Sequence, residues 1–120
     1  AELLARIRSL VRRDRVHKSS VIKIGDLRID TRAQTVTRGG DDIRLTAREY
    51  TLLEALAANE GRVLTRETIL ERVWLNEMGT DNSVSVYVRS LRKKVDEGRQ
   101  ARLIHTVVGT GYTLRLEEEG

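Results

Sequence analysis

The sequence predicts an α+β domain that runs in chain order from an antiparallel sheet through three helices to a closing hairpin. Three observations carry that expectation. Four short alternating runs between Val21 and Leu45 are separated by turn-forming residues. Between Thr46 and Asp96, apolar residues recur at helical spacing behind polar caps. The last stretch sets two β-type runs on either side of Gly109-Thr110-Gly111. A chain of 120 residues with 39% apolar content can bury one modest core.

Taken in order, residues 2–13 place Leu3, Ile7, Leu10 and Val11 on one stripe of a basic helix, and Asp14 to Ser20 read as a linker. Because the chain opens at Ala1 inside that helix, it reads as a fragment of something longer. The segments Val21–Ile24, Leu27–Asp30, Thr35–Thr37 and Ile43–Leu45 form a small meander. They are punctuated by Gly25-Asp26, Asp30-Thr31-Arg32 and Gly39-Gly40-Asp41-Asp42. Thr46-Ala47-Arg48-Glu49 is a capping box that opens a helix bearing Tyr50, Leu53, Leu56 and Ala57, closed by Gly61. After a short strand Arg62–Leu64, Thr65 caps a second helix with Ile69, Leu70, Val73 and Trp74. Leu75 to Asp81 lacks periodicity and reads as a loop. A third helix, capped by Asp81 or Asn82, ends near Asp96 with Gly98 just beyond. The hairpin strands are Leu103–Val107 and Tyr112–Leu116.

Composition narrows the function. The absence of cysteine excludes disulfides and thiolate zinc sites, and no apolar run approaches the roughly 20 residues of a membrane span. With no secretory signal either, the chain reads as a soluble, cytoplasmic piece. The net charge of +4 is mild but concentrated. Seven basic residues face two acids in residues 1–23, and six face two in residues 82–102. The stretch 46–77 is acidic, and the chain ends on Glu117-Glu118-Glu119. Such patches suit a polyanion partner or a solvated face.

The third helix is the most informative segment. Val84, Val88, Leu91 and Val95, flanked by Tyr87, make one continuous apolar wall. Asn82, Ser85, Val86, Arg89, Ser90 and Lys93 point the other way, with Arg92 at the edge. Arginine can bridge guanine O6 and N7, asparagine adenine N6 and N7, and a valine methyl can meet a thymine methyl, so this face suits a major groove. An amphipathic helix with a basic solvated face is the alternative. A capped helix before it makes a helix-turn-helix-like pair, and the hairpin after it can reach the neighbouring backbone.

Several motifs together resemble the effector domain of OmpR/PhoB-type response regulators. They are Leu45-Thr46-Ala47-Arg48-Glu49-Tyr50-Thr51-Leu52-Leu53, Gly61-Arg62-Val63-Leu64-Thr65-Arg66, Val84-Ser85-Val86-Tyr87-Val88-Arg89-Ser90-Leu91-Arg92-Lys93-Lys94 and Thr106-Val107-Val108-Gly109-Thr110-Gly111-Tyr112. The resemblance runs from about Val21 to Leu116. It implies a winged helix-turn-helix with an N-terminal four-stranded antiparallel sheet, three helices and a C-terminal β-hairpin wing. Residues 1–20 are then the end of a receiver domain's last helix plus linker, 21–117 the winged-helix domain and 118–120 an acidic tail.

Carried over residue by residue, the resemblance puts a recognition helix at about 82–96 in the major groove, with Asn82, Ser85, Val86, Arg89, Ser90 and Lys93 facing bases. Thr65, Arg66, Trp74, Arg92, Thr106, Gly109, Thr110 and Tyr112 fall on the sugar-phosphate backbone, the wing being about 103–116. Leu75, Asn76, Glu77, Met78, Gly79, Thr80 and Asp81 form the loop that touches RNA polymerase in some members. This loop is shorter than in some of them, Ser90 stands where some relatives carry arginine, and Val108 stands where an arginine often enters the minor groove. Packing is the competing role for Trp74 and Tyr112.

The function implied is specific double-stranded DNA binding, by a dimer on tandem half-sites, as the output of a two-component transcriptional regulator whose receiver is absent here. The alternative is a winged-helix protein-interaction module. His17 and His105 are isolated, so no metal site is expected. No catalytic constellation is present, so neither an enzyme nor a cofactor is expected.

Overall fold

Strands β1 (Val21–Ile24), β2 (Leu27–Asp30), β3 (Thr35–Arg38) and β4 (Asp41–Asp42) form a four-stranded antiparallel meander in a computed structural model of the chain. The structure describes residues 20–75, 81–99 and 101–116. The helix expected over residues 2–13, the linker up to Ser19 and the acidic tail lie outside the described residues. In β2 the period of two is plain: Leu27 and Ile29 are buried while Arg28 between them is exposed. Asp30 shapes the next turn by accepting the Arg32 and Ala33 N–H groups at 3.0 and 3.1 Å.

The fourth strand differs from the expected Ile43–Leu45. Gly39 and Gly40 have φ of +60° and +88°. Two successive left-handed residues suit a two-residue hairpin turn, so the chain reverses directly after Arg38. Arg38 then pairs with Asp41 and Thr37 with Asp42. Ile43 still gives its N–H to Val36 O at 2.9 Å, but residues 43–45 form no strand.

Helix α1 (Ala47–Ala58) begins at the expected capping box. The Glu49 N–H reaches Thr46 Oγ1 at 3.2 Å, and the Thr46 N–H reaches Glu49 Oε1 at 2.9 Å. Asn59 is its C-cap, and Gly61, two residues on, gives its N–H to Leu114 O. After β5 (Leu64–Thr65), Thr65 caps α2 (Arg66–Ile69) by accepting the Thr68 N–H at 3.1 Å. The helix then widens to π-type bonding over Leu70–Trp74, which apolar periodicity does not foretell.

Helix α3 (Asp81–Val95) leads through a loop to β6 (Ile104–Val107) and β7 (Gly111–Leu114). Strand β7 lies between β5 and β6 in a three-stranded antiparallel sheet, so the hairpin is tied to the start of α2 as well as to itself. A Cβ on Gly111 would lie 2.0 Å from Leu64 O, so only glycine lets the two backbones meet there.

The strands and helices share one core. Ile24, Leu27 and Ile29 of the meander, Leu53 and Leu56 of α1, Ile69 of α2, Val88 and Leu91 of α3 and Leu114 of β7 are all within 2% of full burial. No helix of the described residues is long and apolar enough to cross a membrane.

Candidate nucleic-acid interface

The orientation of α3 follows from its apolar wall. Val84, Val88, Leu91 and Val95 are all essentially inaccessible, and Tyr87, half-buried, meets Trp74 edge-on with ring centroids 5.3 Å apart. The opposite face therefore stands in solvent. Asn82, Arg89 and Lys93 are exposed, and Val86 keeps 51% of its surface accessible. Val86 is thus one apolar side chain standing open between cations on this face. In the closing hairpin, the wing, Thr106, Val108, Gly109 and Thr110 are exposed, Val108 at 91%.

Ser90 departs from the expected free outward face. It is half-buried, and its hydroxyl donates to Glu49 Oε2. Glu49 is itself buried, with Lys94 Nζ 2.7 Å from its other oxygen. One carboxylate thus caps α1 and grips α3 at two positions four residues apart, fixing the rotation of α3 about its axis. Burial by itself would raise the Glu49 pKa. Hydrogen bonds from Lys94, Ser90 and the Thr46 N–H together outweigh it and hold the carboxyl below its usual range. Ser85 is also half-buried, with its Oγ 3.5 Å from the Tyr112 hydroxyl. Of the six residues expected to face bases, Asn82, Val86, Arg89 and Lys93 are the exposed ones.

The residues expected on the backbone fall into two groups. Thr65, Thr106, Gly109 and Thr110 are exposed, and Arg66 is half-buried at the start of α2. Trp74 and Tyr112 are buried at 5% exposure, as packing requires. The Arg48 guanidinium lies 4.9 Å from the Trp74 ring centre. Those of Arg66 and Arg92 each lie 6.0 Å from the Tyr112 ring, which joins α2 and α3 to the wing. Arg92 is further held by Ile104 O, 3.2 Å from its Nε, and by Thr106 Oγ1. Its guanidinium bridges helix and wing at the edge of the exposed face.

Arg38 gave no sequence signal. It is 1% exposed, and its Nε donates to Asp26 Oδ1 at 2.8 Å. One terminal nitrogen reaches Val95 O at 2.7 Å and Asp96 Oδ1 at 2.8 Å, and the other reaches Ala101 O. Asp96 in turn accepts the Leu103 and Ile104 N–H groups, both at 3.1 Å. A strand of the first sheet, the C-terminal end of α3 and the entry to the wing are joined through this one guanidinium. Leu75 is exposed with φ of +55°, and Asp81 begins α3. Residues 76–80 lie outside the described residues.

The model of the family described as "Transcriptional regulatory protein, C terminal" matches residues 40–114. The chain belongs to this family. Within the family, it is 43% identical over 116 residues to the transcriptional activator protein IrlR of Burkholderia pseudomallei, covering 96% of this chain and 51% of that one. It is 48% identical over 119 residues to the response regulator MprA of Mycolicibacterium vanbaalenii, covering 95% and 52%. The chain thus spans about half the length of the curated relatives it matches. Among solved structures, the Klebsiella pneumoniae RstA DNA-binding domain, crystallised with its RstA box, superposes with a TM-score of 0.70 at 31% identity, over 79% of this chain and 96% of that one. The Thermotoga maritima OmpR/PhoB homologue DrrB gives 0.73 at 31% identity, over 83% and 47%. These neighbours are winged-helix domains, and the family's sheet, three helices and hairpin are those described above.

Proposed function

We propose that this chain is the DNA-binding output domain of a two-component transcriptional regulator. Helix α3 enters the major groove and the β6–β7 wing rests on the adjacent backbone. Arg89 and Asn82 carry the donors for direct base readout, Val86 offers a methyl contact and Lys93 adds a cation. Ser90, held by Glu49, sets the orientation of the helix instead of reading a base. Arg92, anchored to the wing, presents its remaining donor capacity to phosphate, with Thr65, Arg66, Thr106, Gly109 and Thr110 beside it. With valine at position 108, the wing rides on the sugar-phosphate rail and makes no charged insertion into the minor groove.

The observation that carries this reading is the accessible Val86–Arg89–Lys93 face on a helix whose opposite side is wholly buried. The DNA-bound RstA domain of the same architecture supports it. In the intact protein, a receiver domain N-terminal to this one controls dimerisation on tandem half-sites, and the 75–81 loop is the surface offered to RNA polymerase. A selection from random duplexes with the 120-residue chain tests the core of the proposal. Enrichment of one motif, with affinity falling steeply as salt rises, is expected. A pool that stays unenriched rejects specific DNA binding and favours a protein-interaction module.

A further inference from the structure

Between the C-terminal half of α3, the 96–102 connection and β6 lies an open cleft of about 690 Å³. Five of its lining side chains are cationic: Arg89, Arg92, Lys93, Arg99 and Arg102. It contains two acids, Asp96 and Glu97. Asp96 is consumed internally, since its carboxylate takes the Arg38 guanidinium and two backbone N–H groups. That leaves Glu97 against five cations. Arg99 also reaches Asp41 at 3.1 Å, but Asp41 is largely exposed, and an ion pair in that setting is worth little and yields readily to a stronger anion.

The cleft is continuous with the outward face of α3. Arg89 and Lys93 belong to both, and Thr106 continues it onto the wing. A concave, predominantly cationic lining that opens directly off a groove-reading helix concentrates potential where a polyanion would pass. We infer that the cleft is a phosphate-binding channel for the strand of DNA leaving the major groove, with Arg99 and Arg102 as backbone contacts beyond the helix and wing. This rests on the DNA-binding reading and extends its footprint past the end of α3. Contacts of this kind hold the duplex without reading its sequence.

The test uses the double variant Arg99→Gln/Arg102→Gln of the whole 120-residue chain. A charge-matched control, Arg28→Gln/Arg32→Gln, alters two exposed arginines of the first sheet that do not line the cleft. Binding to the selected duplex and to a scrambled duplex is followed from low to moderate salt, with thermal unfolding confirming that each variant folds. The cleft variant is expected to lose affinity for both duplexes by the same factor. Its log–log salt slope should be shallower by about two, roughly 0.9 per phosphate contact removed, while the control keeps the parental slope. An unchanged slope in the cleft variant, or an equal change in the control, overturns the channel while leaving specific binding by the parent chain intact. Inorganic tripolyphosphate, at matched ionic strength, is expected to compete with the duplex for the parent chain and far less for the cleft variant. Tripolyphosphate that binds without displacing duplex would assign the cleft to a small anion and overturn the proposal. If the parent chain binds neither duplex, the underlying DNA-binding reading falls and the channel with it.

Discussion

Replacing Arg38 by alanine should cost far more than its place at the end of a short surface strand suggests. The guanidinium is buried and donates to Asp26, Asp96, Val95 O and Ala101 O. Its loss leaves the Asp96 carboxylate, itself 7% exposed, with backbone N–H partners but no counter-charge. Breaking a buried pair by removing one member costs about 3–5 kcal/mol. The two abandoned carbonyls add to this only where water cannot enter the space vacated, so the lower half of that range is a fair floor. For a domain of this size, about 3 kcal/mol corresponds to a fall in Tm of at least roughly 12 °C. Asp26→Ala removes a partner whose side chain is half exposed, and should cost about 0–1 kcal/mol. Arg38→Lys should rescue little, because one ammonium on a flexible stem cannot span four acceptors on three segments. Urea and thermal unfolding of the three variants provide the comparison. Equal losses for Arg38→Ala and Asp26→Ala would refute the idea that this guanidinium joins sheet, helix and wing.

Two further perturbations test the joints around α3. Glu49 has a lowered folded-state pKa, so the stability it contributes is present above the ordinary glutamate range and is lost as pH falls through the folded value. Glu49→Gln should therefore destabilise by about 1–3 kcal/mol at neutral pH and by progressively less below that range; a penalty independent of pH would contradict the ionised role. Gly111→Ala should abolish the β5–β7 pairing, because the added Cβ has a backbone carbonyl 2.0 Å away. Loss of hydrogen-exchange protection across the wing is the expected signature, and normal protection would show that the strands accommodate the Cβ and stay paired.

Much of the architecture was legible because local and tertiary demands agree. The Thr46–Glu49 box starts a helix wherever it lies, and the Val84–Val88–Leu91–Val95 ridge has one way to be buried. The fourth strand was misread because Ile43 and Leu45 carry the β pattern, whereas the turn is decided by Gly39 and Gly40, whose φ values force an earlier reversal. The Ser90–Glu49 contact was not legible for a different reason. A helical projection knows only its own helix, and the group that claims the hydroxyl sits on α1, 41 residues earlier. The one available hint was that the capping box uses one Glu49 oxygen on the Thr46 N–H and leaves a second to find a partner. Arg38 was invisible because three of its four acceptors lie 57 to 63 residues away, with no spacing to betray them. The Trp74 and Tyr112 rings follow the packing alternative, as large rings at the junction of helices and wing bury area first.

The most direct test of DNA reading by α3 compares Arg89→Ala with Arg92→Ala on the selected duplex, its single-base variants and a scrambled duplex. Substitution of the exposed Arg89 should cost about 1–3 kcal/mol of binding and relax the preference at one base position. Arg92, tied to Ile104, Thr106 and the Tyr112 ring, should weaken every duplex alike. An Arg89→Ala profile with the same base preferences as the parent chain would contradict the placement of this face in the major groove.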